Sequence, residues 1–240
     1  MTPNVDVILF VAFPYVAIVL ASVLSAVRFA TNRFSVSSLS SQFLESGRLF
    51  WGSVAFHYGI LVVLAGHIIA LLFPRSFLAF NGVPVRLFIL ETTGLAFGLL
   101  ALVGLVVLWY RRATTSRVKA VTSRWDILLL LLLVIQVATG DYTALFHRWG
   151  AAWSIHTTVP YLVSLGVLSP DTSLIAGLPL VVKLHILNAF ALVAVIPFTR
   201  LVHFLVAPVW YLWRPYQLVV WNRRAAPRAP AAAGGAEPRR

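Results

Sequence analysis

Four histidines in apolar stretches are the residues of this chain best placed to do chemistry. His57 and His67 stand ten residues apart in FHYGILVVLAGH, and His185 and His203 stand eighteen apart in a later apolar stretch. An ionisable group in such a stretch is costly to bury and usually faces a partner. A single buried histidine is as often an interior hydrogen-bonding residue as a metal ligand, so the arrangement of the four has to distinguish the two.

The stretches that carry these histidines are long enough to be membrane-spanning helices. Apolar residues make up 60% of the 240 residues and charged residues 11%, and about 20 apolar residues cross the hydrocarbon core of a bilayer. The sequence therefore predicts an all-α membrane protein, a bundle of five transmembrane helices, which we number as the first to fifth spans. Their predicted positions are 5–27, 49–73, 87–110, 125–140 with an extension into the next turn, and 180–206.

Basic residues predict how the spans are oriented. The inner links 28–48 and 111–124, and the segment after residue 206, are rich in Arg and Lys, whereas the outer links 75–86 and 141–179 are poor in them. Since basic links stay on the cytoplasmic side, the N-terminus is predicted outside and the C-terminus inside. This distribution also accounts for the net charge of +12, so a nucleic-acid partner is not expected.

The chain is predicted to hold one domain with little mass outside the membrane. Residues 1–224 form the five-helix domain, and the Pro-, Ala- and Gly-rich tail 225–240 is predicted to be disordered. The outer link 141–179 is apolar but interrupted by Pro160, so it is expected to lie along the outer interface. The chain has no cysteine, which excludes disulfides, thiolate-ligated iron–sulfur clusters and cysteine-based catalysis within it.

The direction of the spans arranges the four histidines as two pairs at matching depths. His57 and His203 fall near the inner side, and His67 and His185 fall near the outer side. On a continuous fifth helix, His185 and His203 would share one face at about 27 Å separation. A tetrahedral zinc site would need a third and a fourth ligand close by. The pattern therefore predicts two bis-histidine haems stacked across the membrane, each held axially by one histidine pair.

Two glycines on the second span extend this prediction. Gly59 and Gly66 are seven residues apart and fall on one helix face. Without side chains, they would let a flat macrocycle approach the helix backbone.

At this point the chain resembles the γ subunit, or cytochrome b subunit, of respiratory nitrate reductase. The resemblance extends from the first span to about Arg224. It rests on FPYVA, SSQ at 40–42, FHYGILVVLAGH, LLVIQ, KLHILN and FTRLVHFLVAPVWYLWRPYQLV. The last stretch is the most specific, because His203 follows Arg200 by three residues and leads into a Pro, Tyr, Arg and Gln pattern.

The resemblance implies a membrane anchor and electron-transfer subunit in a prokaryotic cytoplasmic membrane. In that family the four histidines at these places ligate two haems b, and quinol (menaquinol or ubiquinol) is oxidised near the outer face with proton release outside. Electrons then pass to the iron–sulfur clusters of a β subunit on the cytoplasmic side. A molybdenum-containing α subunit reduces nitrate, so no catalytic residue for that reaction is expected in this chain.

Further residues are candidates for the cofactor and quinol sites. Arg86 aligns with a basic residue, a lysine in the family, that serves quinol, although an arginine at a helix end is also a common interface residue. Glu91, one turn into the third span, is a candidate acceptor of a quinol proton. Arg200 is placed either to bind a haem propionate or to anchor the inner interface.

The other polar residues have more modest predicted roles. His147 and His156, in the outer link, are expected to be polar cover over the outer haem rather than ligands. Asp126 is expected to be a favourable charge at a helix N-terminus. Gln136, in LLVIQ, is expected to form a hydrogen bond between helices.

Three alternatives to this function remain open from sequence. A related di-haem cytochrome b could serve another respiratory complex, such as a nitrite-oxidising or sulfur-cycle enzyme. A histidine-dependent metal or proton transporter would show polar or broken helices along a path, whereas the second span is an unbroken apolar run. A purely structural anchor would leave four level-matched histidines unexplained.

Overall fold

A computed structural model of the chain describes residues 3–37, 40–206 and 213. Over these residues the protein is helical and contains no β-strand. Five helices are long and apolar enough to cross a membrane, as the sequence predicts. They are Val5–Thr31, Gly47–Leu72, Pro84–Thr114, Arg124–Phe146 and Leu180–Phe198. The predicted tail 225–240 and the motif beyond residue 206, Trp213 apart, lie outside the described residues.

Shorter helices occupy the links. The α-helical ones are Pro74–Asn81, Ser116–Ala120, Gly150–Trp153, Thr158–Gly166 and Ser173–Ala176, and the 3₁₀ ones are Arg33–Ser35 and Ser154–His156. Two more 3₁₀ segments, Ile196–Phe198 and Arg200–Val206, end and follow the fifth span. The spans pack in a continuous series: second on third, third on fourth, fourth on fifth, and fifth on first. The orientation of the termini across the membrane stays a prediction from the basic residues.

The fourth span continues past Gly140, as predicted, and ends at Phe146. It starts with a capping box in which the Ser123 hydroxyl accepts from the Asp126 backbone N–H, and the Asp126 carboxylate accepts from the Ser123 N–H. This reciprocal pair satisfies two backbone donors at the helix start. The predicted role of Asp126 as an N-terminal charge is therefore confirmed.

A π-helical segment, Ile8–Ala12, interrupts the first span just before Pro14. Proline has no N–H, so the carbonyl of Phe10, four residues earlier, loses its helical partner. The Tyr161 hydroxyl donates to this carbonyl at 2.8 Å, and the Tyr15 hydroxyl donates back to the Leu165 carbonyl at 3.0 Å. Two tyrosines thus attach helix Thr158–Gly166 of the outer link to the first span.

The outer link is a packed layer around these bonds. Pro160 is tolerated there because it lies in the first turn of helix Thr158–Gly166, where no helical N–H bond is lost. A buried apolar cluster joins the link to the first and fifth spans. Its members are Phe10, Tyr161, Leu165, Ile175, Val182 and Ile186.

The fifth span is not the continuous helix that the sequence predicts over 180–206. Its α-helix ends at Val195, a 3₁₀ turn follows over Ile196–Phe198, and Thr199 is extended before a second 3₁₀ segment begins. Pro197 explains the change, since it cannot donate to the preceding turn. The expectation that one regular helix connects His185 and His203 was therefore wrong.

Arg28, from the end of the first span, satisfies the carbonyls at this break. Its guanidinium donates to the Pro197 carbonyl at 2.5 Å and the Thr199 carbonyl at 3.3 Å. It also bonds Ser35, through the hydroxyl at 3.0 Å and the carbonyl at 2.6 Å. One inner arginine therefore holds both the broken fifth span and the start of the inner link.

The rest of the inner link is held by Arg111, at the inner end of the third span. Its side chain is 2% exposed and pairs with Glu45 at 2.6 Å. It also donates to the Ser41 hydroxyl and to the carbonyls of Ser41 and Glu45. The Arg48 backbone N–H and the Arg111 guanidinium hold the pKa of Glu45 below its ordinary value. The charge pattern predicts Arg111 only as one of the basic residues on the cytoplasmic side. In the structure its side chain holds this link in place.

Candidate functional site

The four predicted histidines meet as two pairs between the second and fifth spans. The ring centroids of His57 and His203 are 6.2 Å apart, and those of His67 and His185 are 6.4 Å apart. His203 reaches its partner from the 3₁₀ segment Arg200–Val206 rather than from a regular helix. The structure thus brings together the same pairs that the sequence predicts.

Three of these rings are fixed through Nδ1 by a backbone carbonyl of their own segment. His57 bonds the Ser53 carbonyl at 2.7 Å, His67 the Val63 carbonyl at 2.8 Å, and His203 the Arg200 carbonyl at 2.7 Å. A carbonyl oxygen only accepts, so Nδ1 carries the proton and Nε2 keeps its lone pair. Metal-binding histidines show this arrangement, in which the second nitrogen donates to the protein.

His185 is fixed by side chains of the fourth span instead. Its Nδ1 lies 3.0 Å from the Thr139 hydroxyl oxygen, whose own proton goes to the Ile135 carbonyl at 2.7 Å. The Gln136 amide nitrogen lies 3.1 Å from His185 Nε2, and its oxygen accepts from Asn188 at 2.7 Å. Gln136 therefore links two spans, as predicted, and would have to leave Nε2 for His185 to bind a metal.

The spacing of the rings fits one metal ion between each pair. With metal–nitrogen bonds of about 2 Å and ring centres about 1.2 Å behind the nitrogens, two opposed imidazoles have centroids about 6.4 Å apart. Over residues 3–37, 40–206 and 213, no group of three or more His, Cys, Asp or Glu side chains could hold a metal ion. A two-histidine axial arrangement suits haem and lacks the ligands of a zinc site.

Two further residues act on His185 without a signal of their own in the sequence. A Cβ at Gly140 would lie 3.0 Å from His185 Cε1, so this glycine makes room for the ring. Thr139, the residue before it, bonds Nδ1. Their neighbourhood in the sequence does not mark them as site residues, and only the packing of the fourth span on the fifth reveals their role.

The prediction for Gly59 was wrong. A Cβ there would lie 2.5 Å from the Phe97 carbonyl and 2.6 Å from the Ala101 nitrogen, so Gly59 permits close packing of the second span on the third. A Cβ at Gly66 would meet no described atom within 4 Å. The predicted approach of a macrocycle therefore remains a prediction for Gly66 alone.

Arg200 has a protein carboxylate as its partner. Its Nε lies 2.6 Å from Asp126 Oδ1, and a terminal nitrogen lies 3.2 Å from Oδ2. Asp126 is buried and also lies 3.5 Å from Arg112. The bidentate pair that the sequence suggests for a propionate is therefore formed with the fourth span. Arg200 contributes to the inner site through its carbonyl, which fixes His203.

The two quinol candidates lie on the outer half of the third span. The Arg86 guanidinium lies 5.6 Å from the centre of the Phe80 ring, a contact typical of an interface arginine. Glu91 accepts from the backbone N–H groups of Trp149 at 2.9 Å and Ala151 at 3.1 Å. Both Glu91 oxygens thus hold the outer link. A role for either residue in quinol binding stays a prediction.

The remaining histidines lie in the outer link. His147 follows the last residue of the fourth span, and its carbonyl accepts from the Trp153 indole at 3.2 Å. His156 ends the 3₁₀ turn Ser154–His156. Their predicted place over an outer haem stays a prediction.

Fold and site together define a class: multi-pass helical membrane proteins whose second and fifth spans carry two histidine pairs at different depths. A family model described as nitrate reductase gamma subunit matches residues 6–222. The chain therefore belongs to the nitrate reductase gamma subunit family. Members of this family are subunits of respiratory nitrate reductase, an oxidoreductase complex with further subunits.

Relatives with that name match along most of their length. The chain is 33% identical over 221 residues to the nitrate reductase gamma chain of Bacillus subtilis, covering 91% of this chain and 98% of that one. It is 34% identical over 212 residues to the respiratory nitrate reductase 1 gamma chain of Escherichia coli, covering 86% and 93%. The nitrate reductase-like protein NarX of Mycobacterium tuberculosis is 38% identical over 208 residues, 85% of this chain but 32% of its own length.

Proposed function

We propose that this chain oxidises quinol near the outer face of the membrane and passes the electrons inward through two b haems. The observation that carries the proposal is the pair of neighbouring imidazoles at each of two depths, with ring centroids 6.2 and 6.4 Å apart. Bound haem supplies one-electron carriage at each pair. His67 and His185 would hold the outer haem, and His57 and His203 the inner one.

The protein's own contribution is to orient the axial ligands. Carbonyls of the second span hold His57 and His67, the Arg200 carbonyl holds His203, and Thr139 holds His185. Such bonds fix the tautomer and raise the basicity of the coordinating nitrogen. Haem potential depends on these bonds and on burial, so the two depths offer separately adjustable centres.

The electrons leave towards the inner side, where the family implies an iron–sulfur β subunit and, beyond it, a molybdenum-containing α subunit. The inner links present the basic residues that favour the cytoplasmic side. Menaquinol or ubiquinol is the proposed donor, with Arg86 and Glu91 as candidates near its site. Nitrate reduction itself takes place on the α subunit in this proposal.

The family match favours nitrate reductase over a related nitrite-oxidising or sulfur-cycle complex. The break in the fifth span is the kind of feature that a transporter would show. Its carbonyls at Pro197 and Thr199 are, however, bonded by Arg28, so they do not offer ligands along a path. The transporter alternative therefore gains no support from the break.

The experiment that tests the proposal is a haem count on the purified complex. A pyridine haemochrome assay with a reduced-minus-oxidised spectrum should give two b haems per copy of this chain. One haem would show that one histidine pair is not a ligand pair. No haem after haem-supplemented expression would overturn the proposal.

A further inference from the structure

Asp141 is a buried acid that none of the roles above uses. It lies in the fourth span, is 7% exposed, and its Oδ2 has no hydrogen-bond partner among the described residues. It directly follows Gly140, which packs on His185, so it lies near the depth of the outer histidine pair. An acid inside a membrane protein is costly when ionised and usually belongs to a proton or ion path.

The third span keeps space for this carboxyl group. A Cβ at Gly98 would overlap Asp141 Oδ1. Any other residue at position 98 would thus displace the acid or separate the third and fourth spans. The absence of a side chain at Gly98 is therefore what allows the Asp141 carboxyl group to lie between the third and fourth spans.

A cavity lies one helical turn outward from Asp141, between the same two spans. Its volume is about 160 Å³, and its lining includes Glu91, Leu95, Ala144 and Arg148. Leu95 precedes Gly98 by three residues and Ala144 follows Asp141 by three, which places both on the outer side of the acid. At about 30 Å³ per water, this space holds several molecules.

The charged groups around the cavity suit proton release. Arg148 lines the outer end of the cavity and is itself exposed, so this end of the cavity is polar. Glu91 already accepts two backbone N–H groups, from Trp149 and Ala151. Asp141 is thus better placed than Glu91, the sequence candidate, to take a proton and give it to water.

We propose that Asp141 accepts the protons of quinol and releases them outward through this cavity, an inference that rests on the proposed function. A quinol O–H bond breaks, and its proton goes to the Asp141 carboxylate. A bound outer haem would take one electron and pass it to the inner haem, and would then be free to take the second electron. Asp141 would give the first proton to water in the cavity before it takes the second, so that each quinol loses two electrons and two protons to become quinone.

The test uses the whole complex with two electron donors. Menadiol, a soluble quinol, tests the full route to nitrate, and reduced methyl viologen feeds the soluble subunits directly. Asp141→Asn and Asp141→Leu should each lower menadiol-driven turnover about 100-fold, the size of a lost proton acceptor. Viologen-driven turnover and the haem spectrum should not change. Asp141→Glu should retain most of the activity, and Asp171→Asn, at an exposed acid of the outer link, should retain all of it.

The outcomes separate this inference from the proposed function. Menadiol oxidation at the wild-type rate by Asp141→Leu would overturn the proton-acceptor role alone. A wild-type complex that carries its haems but does not oxidise menadiol would overturn the proposed function and this inference together. The apolar variant keeps the test open if Asp141→Asn fails to assemble, because Leu is close to Asp in shape and leaves no unpaired polar atom at this buried position.

Discussion

In each histidine, the hydrogen bond made by Nδ1 fixes the tautomer and the orientation of the ring. It thereby determines whether Nε2 can bind a metal. In three of the four rings a carbonyl one turn away takes the Nδ1 proton, and in His185 the Thr139 oxygen does so across a helix interface. A hydroxyl can be removed by substitution and a carbonyl cannot. His185 is therefore the ligand whose electronic setting is open to mutation.

Thr139→Val should raise the potential of the outer haem by tens of millivolts, because the axial imidazole becomes less basic when its Nδ1–H loses an acceptor. A redox titration that follows the two b haems separately measures this shift. Thr143→Val is the matched control, since the Thr143 hydroxyl bonds only the Thr139 carbonyl among the contacts described. Equal shifts in the two variants would contradict the assignment of Thr139.

The sequence predicts the histidine pairs of the site but not the partners of other site residues. The histidine pairs follow from span direction and depth, which the apolar pattern and the basic links encode locally. The partner of Arg200 is Asp126, 74 positions away, and the partner of Gly59 is the backbone around Phe97. Such contacts depend on which helix faces which, and neither spacing nor composition carries that information.

At the scale of elements, the inner end of the fifth span depends on a residue of the first. Pro197 and Thr199 leave carbonyls that only Arg28 is seen to satisfy, among the contacts described. Pro197 was visible in the sequence as a helix-breaking signal, but the apolar run around it favoured a longer helix. In the structure the α-helix ends at Val195, two residues before Pro197.

Arg28→Ala should weaken the inner site selectively. Each buried carbonyl left without a donor costs about 1–3 kcal/mol, and the affected segment carries His203. We expect the inner haem to be lost on heating at a lower temperature than the outer haem, which absorption spectra recorded during a thermal ramp would show. Arg33→Ala is the control, because Arg33 lies on the exposed ring of Phe29. Simultaneous loss of both haems in Arg28→Ala would contradict the prediction.

Glycines hold the second span against the third. A Cβ at Gly104 would overlap the Phe56 nitrogen and lie 2.7 Å from the Gly52 carbonyl. Gly104→Ala should therefore destabilise the protein by about 1–3 kcal/mol, as overpacking does. Gly94→Ala, on the same helix, meets no described atom within 4 Å and should be neutral or stabilising by up to about 1 kcal/mol. Thermal unfolding in detergent compares them, and equal melting temperatures would contradict the assigned interface.

At the scale of the whole molecule, the two histidine pairs lie at two different levels of the helix bundle. If electrons cross in series, His67→Ala should remove the outer haem and abolish quinol-driven turnover, while reduced methyl viologen still supports nitrate reduction. His57→Ala should leave quinol binding intact and block onward transfer. Quinol-driven nitrate reduction at the wild-type rate in either variant would contradict the series arrangement.

The two tyrosine bonds between the first span and the outer link have a consequence for biosynthesis. Pro14 has no N–H to donate to the Phe10 carbonyl. This carbonyl accepts instead from the hydroxyl of Tyr161, 151 residues later in the chain. At synthesis rates of about 5–20 residues per second, that donor is made about 8–30 s after the carbonyl. The first span therefore gains this hydrogen-bond donor only after the link between the fourth and fifth spans has been made. The packing of the N-terminal part thus stays incomplete until most of the chain has been synthesised.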